Sequence, residues 1–210
     1  TLSTTTNAND TMNFTYTVIN GDTSADLDYA ATNSLVLNNG TIRNGAGNNA
    51  ILTLPAVGVG ATNSLAANRN IVIDTVAPKI INVNSNSRNG SYKEGAIIDI
   101  NVVFSKDVNV VTTNGTPIIR LKTGNRTFVN YSSGSGTDIL TFNYTVSDGD
   151  NSSDLDYFNT NSLVLNKGTI KDTVGNNAIL ALPVPGAAGS LSSNKEIVVD
   201  TVISKVINVT

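Results

Sequence analysis

Apolar and polar residues alternate along most of the chain, at the period of two that sets one side of a strand against a core. The clearest run is residues 96–104, where Ile98, Ile100, Val102 and Phe104 share a face. Residues 138–146 form a second long run. Residues 13–18 form a third, with Phe14, Tyr16 and Val18 on one side. Shorter strands are expected at 50–54, 70–74, 79–83, 117–122, 127–131 and within 196–202. Asn-Gly and Gly-Ser-Gly turns separate them; Asn39-Gly40, Asn89-Gly90 and Asn114-Gly115 read as hairpin turns rather than phosphate loops. No stretch carries a helical period. Residues 55–67 therefore read as a loose Gly/Ala loop, and 88–95 as a turn-rich one. The expected fold class is all-β.

The pattern also repeats. Tyr144-Thr-Val-Ser-Asp-Gly-Asp-Asn-Ser-Ser-Asp-Leu-Asp-Tyr157 answers Tyr16-Thr-Val-Ile-Asn-Gly-Asp-Thr-Ser-Ala-Asp-Leu-Asp-Tyr29. Asn161-Ser-Leu-Val-Leu-Asn-Lys-Gly-Thr-Ile-Lys171 answers Asn33-Ser-Leu-Val-Leu-Asn-Asn-Gly-Thr-Ile-Arg43. The copies lie 128 residues apart until the Gly/Ala loop and 126 apart after it, where surface loops absorb length changes. Lys205-Val-Ile-Asn-Val209 matches Lys79-Ile-Ile-Asn-Val83. Residues 1–76 are thus expected to be the C-terminal part of one repeat, 77–202 a complete repeat, and 203–210 the first strand of another. A segment of a longer tandem array is the expected context.

Composition narrows the function classes. The net charge is −3 with 14% charged residues and no Lys/Arg cluster, so nothing supplies the basic patch of a nucleic-acid surface. Histidine and cysteine are absent, which removes a Ser-His-Asp arrangement, disulfides and thiolate metal sites. No run of 18 apolar residues suggests a membrane span. Carboxylates recur in repeated loops rather than in one cleft, and no enzyme is expected. Asn-x-Thr sequons such as those at Asn13, Asn39, Asn125 and Asn143 arise by chance in so Asn- and Thr-rich a chain.

About seven short strands per repeat of some 125 residues suggest an Ig-like β-sandwich. Four motifs then carry a family likeness: Ile73-Asp-Thr-Val-Ala-Pro78, Val103-Phe-Ser105 with Val108, the Gly-Asp-x-Ser-x-Asp-Leu-Asp-Tyr loop, and Asp172-Thr-Val-Gly-Asn-Asn177. Together they resemble the tandem bacterial Ig-like, cadherin-like repeats of large secreted surface adhesins, and the likeness covers essentially the whole chain. Asp200-Thr-Val-Ile-Ser204 departs from it by lacking the Ala-Pro pair. The resemblance implies a secreted, cell-surface stalk whose stacked repeats contact one another and hold a terminal binding region away from the cell. Glycans or host proteins would be met through other regions. Two alternatives stand beside it: an Ig-like module that itself binds a glycan or protein, and a filament or surface-layer subunit assembled by strand donation.

On an Ig-like topology Glu94, Asp150, Asp154, Asp156 and Asp200 gather at the pole where one repeat meets the next. Asp22, Asp26, Asp28 and Asp74 are their counterparts in the first copy, while Asp107 and the 172–177 turn fall at the opposite pole. Carboxylates gathered so densely repel unless a cation neutralises them, and oxygen-only ligands select a hard ion, calcium above all. Calcium-stiffened joints between repeats are therefore one expectation. The other is that these aspartates are turn formers whose oxygens bond nearby backbone N–H groups, with Tyr29 and Tyr157 as corner tyrosines.

Overall fold

The computed structural model describes residues 11–125, 127–203 and 205. The chain divides into two units, Thr1–Val76 and Ala77–Thr210. Among the described residues the first unit holds β1 (Thr23–Ser24), α1 (Leu65–Asn68) and β2 (Ile73–Asp74). The second holds β3 (Ile80–Asn84), β4 (Gly90–Tyr92), β5 (Ile97–Val111), β6 (Ile118–Arg120), β7 (Phe128–Ser133) and β8 (Thr137–Thr145). It continues through β9 (Asn151–Ser152), β10 (Leu163–Val164), β11 (Thr169–Lys171), α2 (Leu191–Asn194) and β12 (Ile197–Asp200). The fold is all-β apart from the two four-residue helices.

In the second unit one sheet runs β10-β6-β7-β8-β5-β11, with β3 also on β5, and a smaller sheet runs β4-β12-β9. β5 is the axis of the large sheet. Its alternation places Ile98, Ile100, Val102 and Phe104 in the core, as the period-two pattern predicts. The strand runs on past the expected end at Phe104. Its register against β8 jumps between Val103 and Val108, a bulge that bends β5 so that Asn109–Val111 can pair with β11. Asp107, expected in a loop, is an exposed residue of this irregular part of the strand. The β7–β8 turn needs glycine: Gly134 has φ +106°, and a Cβ there would lie 2.0 Å from the Ile139 carbonyl oxygen.

Two features escape period counting. Residues 88–95 contribute β4, which pairs in parallel with β12 (Ile197 opposite Gly90) and antiparallel pairing of β12 with β9 completes that sheet. In each unit the Gly/Ala loop ends in a single helical turn. Ser64 and Ser190 cap these turns, each accepting a hydrogen bond from the backbone N–H three residues on.

The first unit reproduces the local architecture of the back half of the second. β1 pairs β2 as β9 pairs β12, Thr23 facing Asp74 as Asn151 faces Asp200. The Leu27 N–H donates to the Ile71 carbonyl as that of Leu155 donates to Ile197. Leu37-Asn38-Asn39-Gly40 and Leu165-Asn166-Lys167-Gly168 are the same turn, both central residues at positive φ and the glycine N–H closing on the leucine carbonyl. What the first unit lacks, among its described residues, is a counterpart of β3 to β7. Residues 13–18, expected as a strand, contribute one isolated bridge at Phe14. Alternation makes a segment fit to be a strand, but a pairing neighbour makes it one. Phe14 is 60% exposed, whereas Phe142 at the equivalent position of β8 is 0% exposed.

The pair gives a direct comparison. Phe142→Ala is expected to destabilise the second unit by about 3–5 kcal/mol. Phe14→Ala should stay within about 0.5 kcal/mol, as surface substitutions do. Urea unfolding of the full chain, followed by hydrogen exchange in each unit, measures both.

Candidate functional site

The repeated aspartate loops are where sequence expectations converged, and their geometry is local and self-contained. β8 ends at Thr145, and the chain turns back through Gly149, φ +81°, to Asp150. The Asp150 carboxylate is buried and collects donors from three directions: the Tyr144 hydroxyl at 2.7 Å, the Ser147 N–H at 3.0 Å and the Thr127 hydroxyl at 2.8 Å. Asn125 Nδ2 adds a longer contact at 3.4 Å. Thr201 ties the loop to the exit of the unit. Its hydroxyl donates to the Asp150 carbonyl and accepts from the Gly149 N–H, both at 3.0 Å.

Burial pushes the Asp150 carboxyl up, but hydrogen bonds from Tyr144, Ser147 and the threonines outweigh it and hold it below the usual carboxylate range. The Tyr144 hydroxyl is driven up by burial and by the carboxylate it serves. The first unit repeats the arrangement. Asp22 accepts from the Tyr16 hydroxyl and from the Ile19 N–H at 2.8 Å, and Thr75 bridges the Gly21 N–H and the Asp22 carbonyl.

The last aspartate of each loop fastens the Gly/Ala loop. Asp156 is buried and accepts from the N–H groups of Tyr157 and Gly186, at 2.9 and 3.1 Å, and from the Ser192 hydroxyl at 2.7 Å. Asp28 accepts from Tyr29, Gly58 and Leu65 N–H groups at 2.9, 2.8 and 3.2 Å. The tyrosine that follows locks the far side of the same loop: Tyr157 donates to the Pro183 carbonyl at 2.6 Å and Tyr29 to that of Pro55 at 2.7 Å. Both hydroxyls bond 26 residues downstream, so the expected corner with its bond a few residues upstream is replaced by a longer clasp.

The other candidate ligands are dispersed. Asp74 and Asp200 each accept from the N–H two residues on, in Val76 and Val202 at 2.9 Å, as Asx turns do. Asp26 accepts from the Ile71 N–H at 3.2 Å. Glu94 is exposed in the turn after β4, and Asp107 lies on β5. Asp172, at the opposite turn, is held by the Val174 and Asn176 N–H groups and by Lys106 at 3.6 Å. Among the described residues no group of three or more acidic side chains is arranged to hold a metal ion.

Asp154 behaves differently. It is exposed, and its carboxyl is held above the ordinary range by burial of its surroundings and by the negative charges of Asp156 and Glu196. Glu196 was invisible to a reading anchored on the repeat, because its counterpart is Asn70. A second unforeseen cluster surrounds Asp99, which accepts from the Asn86 and Ser87 N–H groups at 2.7 and 2.8 Å and from the Ser87 hydroxyl. Its signal was an aspartate on the polar face of the longest strand.

No protein-family model matches the chain, no curated protein matches it, and no solved structure matches it. The structural facts about the loops therefore rest on this chain alone.

Asp150→Asn should cost the second unit about 1–3 kcal/mol at neutral pH, the range for hydrogen bonds to a charged acceptor. Asp150 and Asp172 have depressed folded-state pKa values, so their contribution is present above the ordinary value of 3.8. Below it the unfolded chain takes up protons first, and stability is lost as pH falls through the folded values. Urea midpoints between pH 6 and pH 2.5 should fall more steeply for the native chain than for Asp150→Asn.

Proposed function

We propose that this chain is a structural extender: a stretch of tandem Ig-like β-sandwich repeats from a large bacterial cell-surface adhesin, exported and serving to set a binding region at a distance. The observation that supports this best is the double occurrence of one self-bonded network. Tyr144, Asp150 and Thr201 in one unit, and Tyr16, Asp22 and Thr75 in the other, bond each other in the same way. A spacer is made by copying one self-contained module along a chain. The aspartates spend their oxygens on the protein's own donors, which suits turns that must stay rigid under load.

Calcium enters this reading more narrowly than the loop sequences suggest. Asp22, Asp28, Asp150 and Asp156 already accept hydrogen bonds from protein donors. The place that favours a cation is the exposed carboxylate of Asp154, beside the charges of Asp156 and Glu196. Calcium bound there would neutralise that repulsion and brace the loop against β12.

With about 10 mM calcium and a dissociation constant of ~10⁻⁴–10⁻³ M, typical of extracellular modules, linkage gives about 1.4–2.7 kcal/mol. The second unit should then melt roughly 4–10 °C higher in calcium than in chelator. The increment should vanish in the double variant Asp154→Asn, Glu196→Gln and persist in Asp22→Asn. An unchanged Tm in calcium would leave a calcium-independent spacer.

A further inference from the structure

The large sheet of the second unit splits along part of its length. β7 pairs with β8 at Tyr131 opposite Phe142 and at Ser133 opposite Thr141, with a bulge between. Before that point the strands go separate ways: residues 128–130 pair with β6, and residues 143–145 pair with β5. The gap opens a cavity of about 430 Å³, lined in part by Phe128, Asn130, Ser132, Asn143 and Thr145. Ile119, Val129, Phe142 and Tyr144 are buried in the core, so these alternating neighbours lie on the outer face of the sheet. The volume is that of a small-molecule site, and none of the lining residues is charged.

A cation stands at one side of this cavity. Arg120 lies directly opposite Phe128 across the β6–β7 ladder, which sets both side chains on the same face. Its guanidinium carbon sits 3.7 Å over the Phe158 ring, and its Nε is buried without a hydrogen-bond partner. Among the described residues no carboxylate comes within ion-pair range of it. Lys122, two residues on, is exposed. Stacking on an aromatic ring holds the planar fork in place, so little freedom is lost when it meets a carboxylate. Across the cavity Asn143 donates to the Ser132 hydroxyl at 3.0 Å. Beyond it, Asp99 of β5 stands opposite Asn143, its carboxylate taken up by the Asn86 and Ser87 N–H groups. The face is therefore polarised, positive at β6 and negative past β8.

We propose that the outer face of β6, β7 and β8 is a binding site for an acidic saccharide. The ligand's carboxylate meets the Arg120 guanidinium, and its hydroxyls meet the amides and hydroxyls of Asn130, Ser132 and Asn143. Phe128, about half exposed, offers a ring edge to the apolar side of a sugar. The negative charge of Asp99 sets the direction, with the acid toward β6. A peptide strand is poorly matched, because the lining presents polar side chains rather than pockets for alternate apolar ones. A polyphosphate is also poorly matched, since the chain has net charge −3 and no Lys/Arg cluster. The site lies wholly within the second unit and does not depend on the extender reading.

The test is a ¹⁵N NMR titration of the full chain with a tetrasaccharide alternating glucuronic acid and N-acetylglucosamine. The neutral N-acetylglucosamine tetramer is titrated in parallel, each to about 10 mM, ten times a weak-site dissociation constant of about 1 mM. Amide shifts should change across residues 118–122, 128–133 and 143–147 with the acidic sugar, and at least about tenfold more weakly with the neutral one. Arg120→Gln should weaken binding by about tenfold or more, as loss of a charge-assisted pair does. Asn130→Asp, at an exposed position, should weaken it too by placing a like charge in the cavity. Unchanged amide exchange at Val102 and Leu140 shows that each variant keeps its core. No shifts on this face at the highest concentration would overturn the proposal. Equal binding of the neutral tetramer, or an Arg120→Gln chain that keeps its core and binds as tightly as the native one, would do so as well. So would a hexaglutamate peptide that produces the same shifts at the same concentrations, because charge alone would then be read.

Discussion

A carboxylate withdrawn from water has to be met by donors, and that constraint shapes the aspartate loop of the second unit. Asp150 is reached by a β8 tyrosine, a turn N–H and a threonine just before β7; Asp156 by two backbone N–H groups and a serine of α2. Each ties together segments distant in the chain. Removing one donor leaves the charge less well satisfied, which is why such networks are kept whole or not at all. The loops are consequently tied to distant segments by hydrogen bonds from the protein's own donors.

The two units separate local from global determination. Their shared hydrogen bonds, down to the bond from a tyrosine hydroxyl to a proline carbonyl 26 residues away, form whether or not the apolar face is covered. Burial does not follow. Hydrophobic stabilisation depends on area removed from water, and a face with nothing opposite removes little. In the second unit the β5 alternation supplies the opposite side of the core.

Repetition and self-satisfied turns are the features on which the proposed extender reading rests. At Asp154, burial and the negative charges of Asp156 and Glu196 hold the carboxyl above its ordinary range. Glu196 directly precedes β12.

By itself the sequence determined the all-β class, the repeat and its register, and the faces of β5 and β8, because period-two alternation and literal repetition are properties of order along the chain. It also pointed to the aspartate loops, though it left open whether their oxygens serve an ion or the backbone. Tertiary structure brings protein donors to them. Donors to Asp150 come from Thr127 and Tyr144, and those to Asp156 from Gly186 and Ser192, and no spacing rule brings such partners together. The parallel pairing of β4 with β12 joins residues over a hundred positions apart, too short a strand on either side to stand out alone. Exposure was decided last: Phe14 and Phe142 read alike in sequence, and only the presence of β5 across the ladder puts one of them in a core.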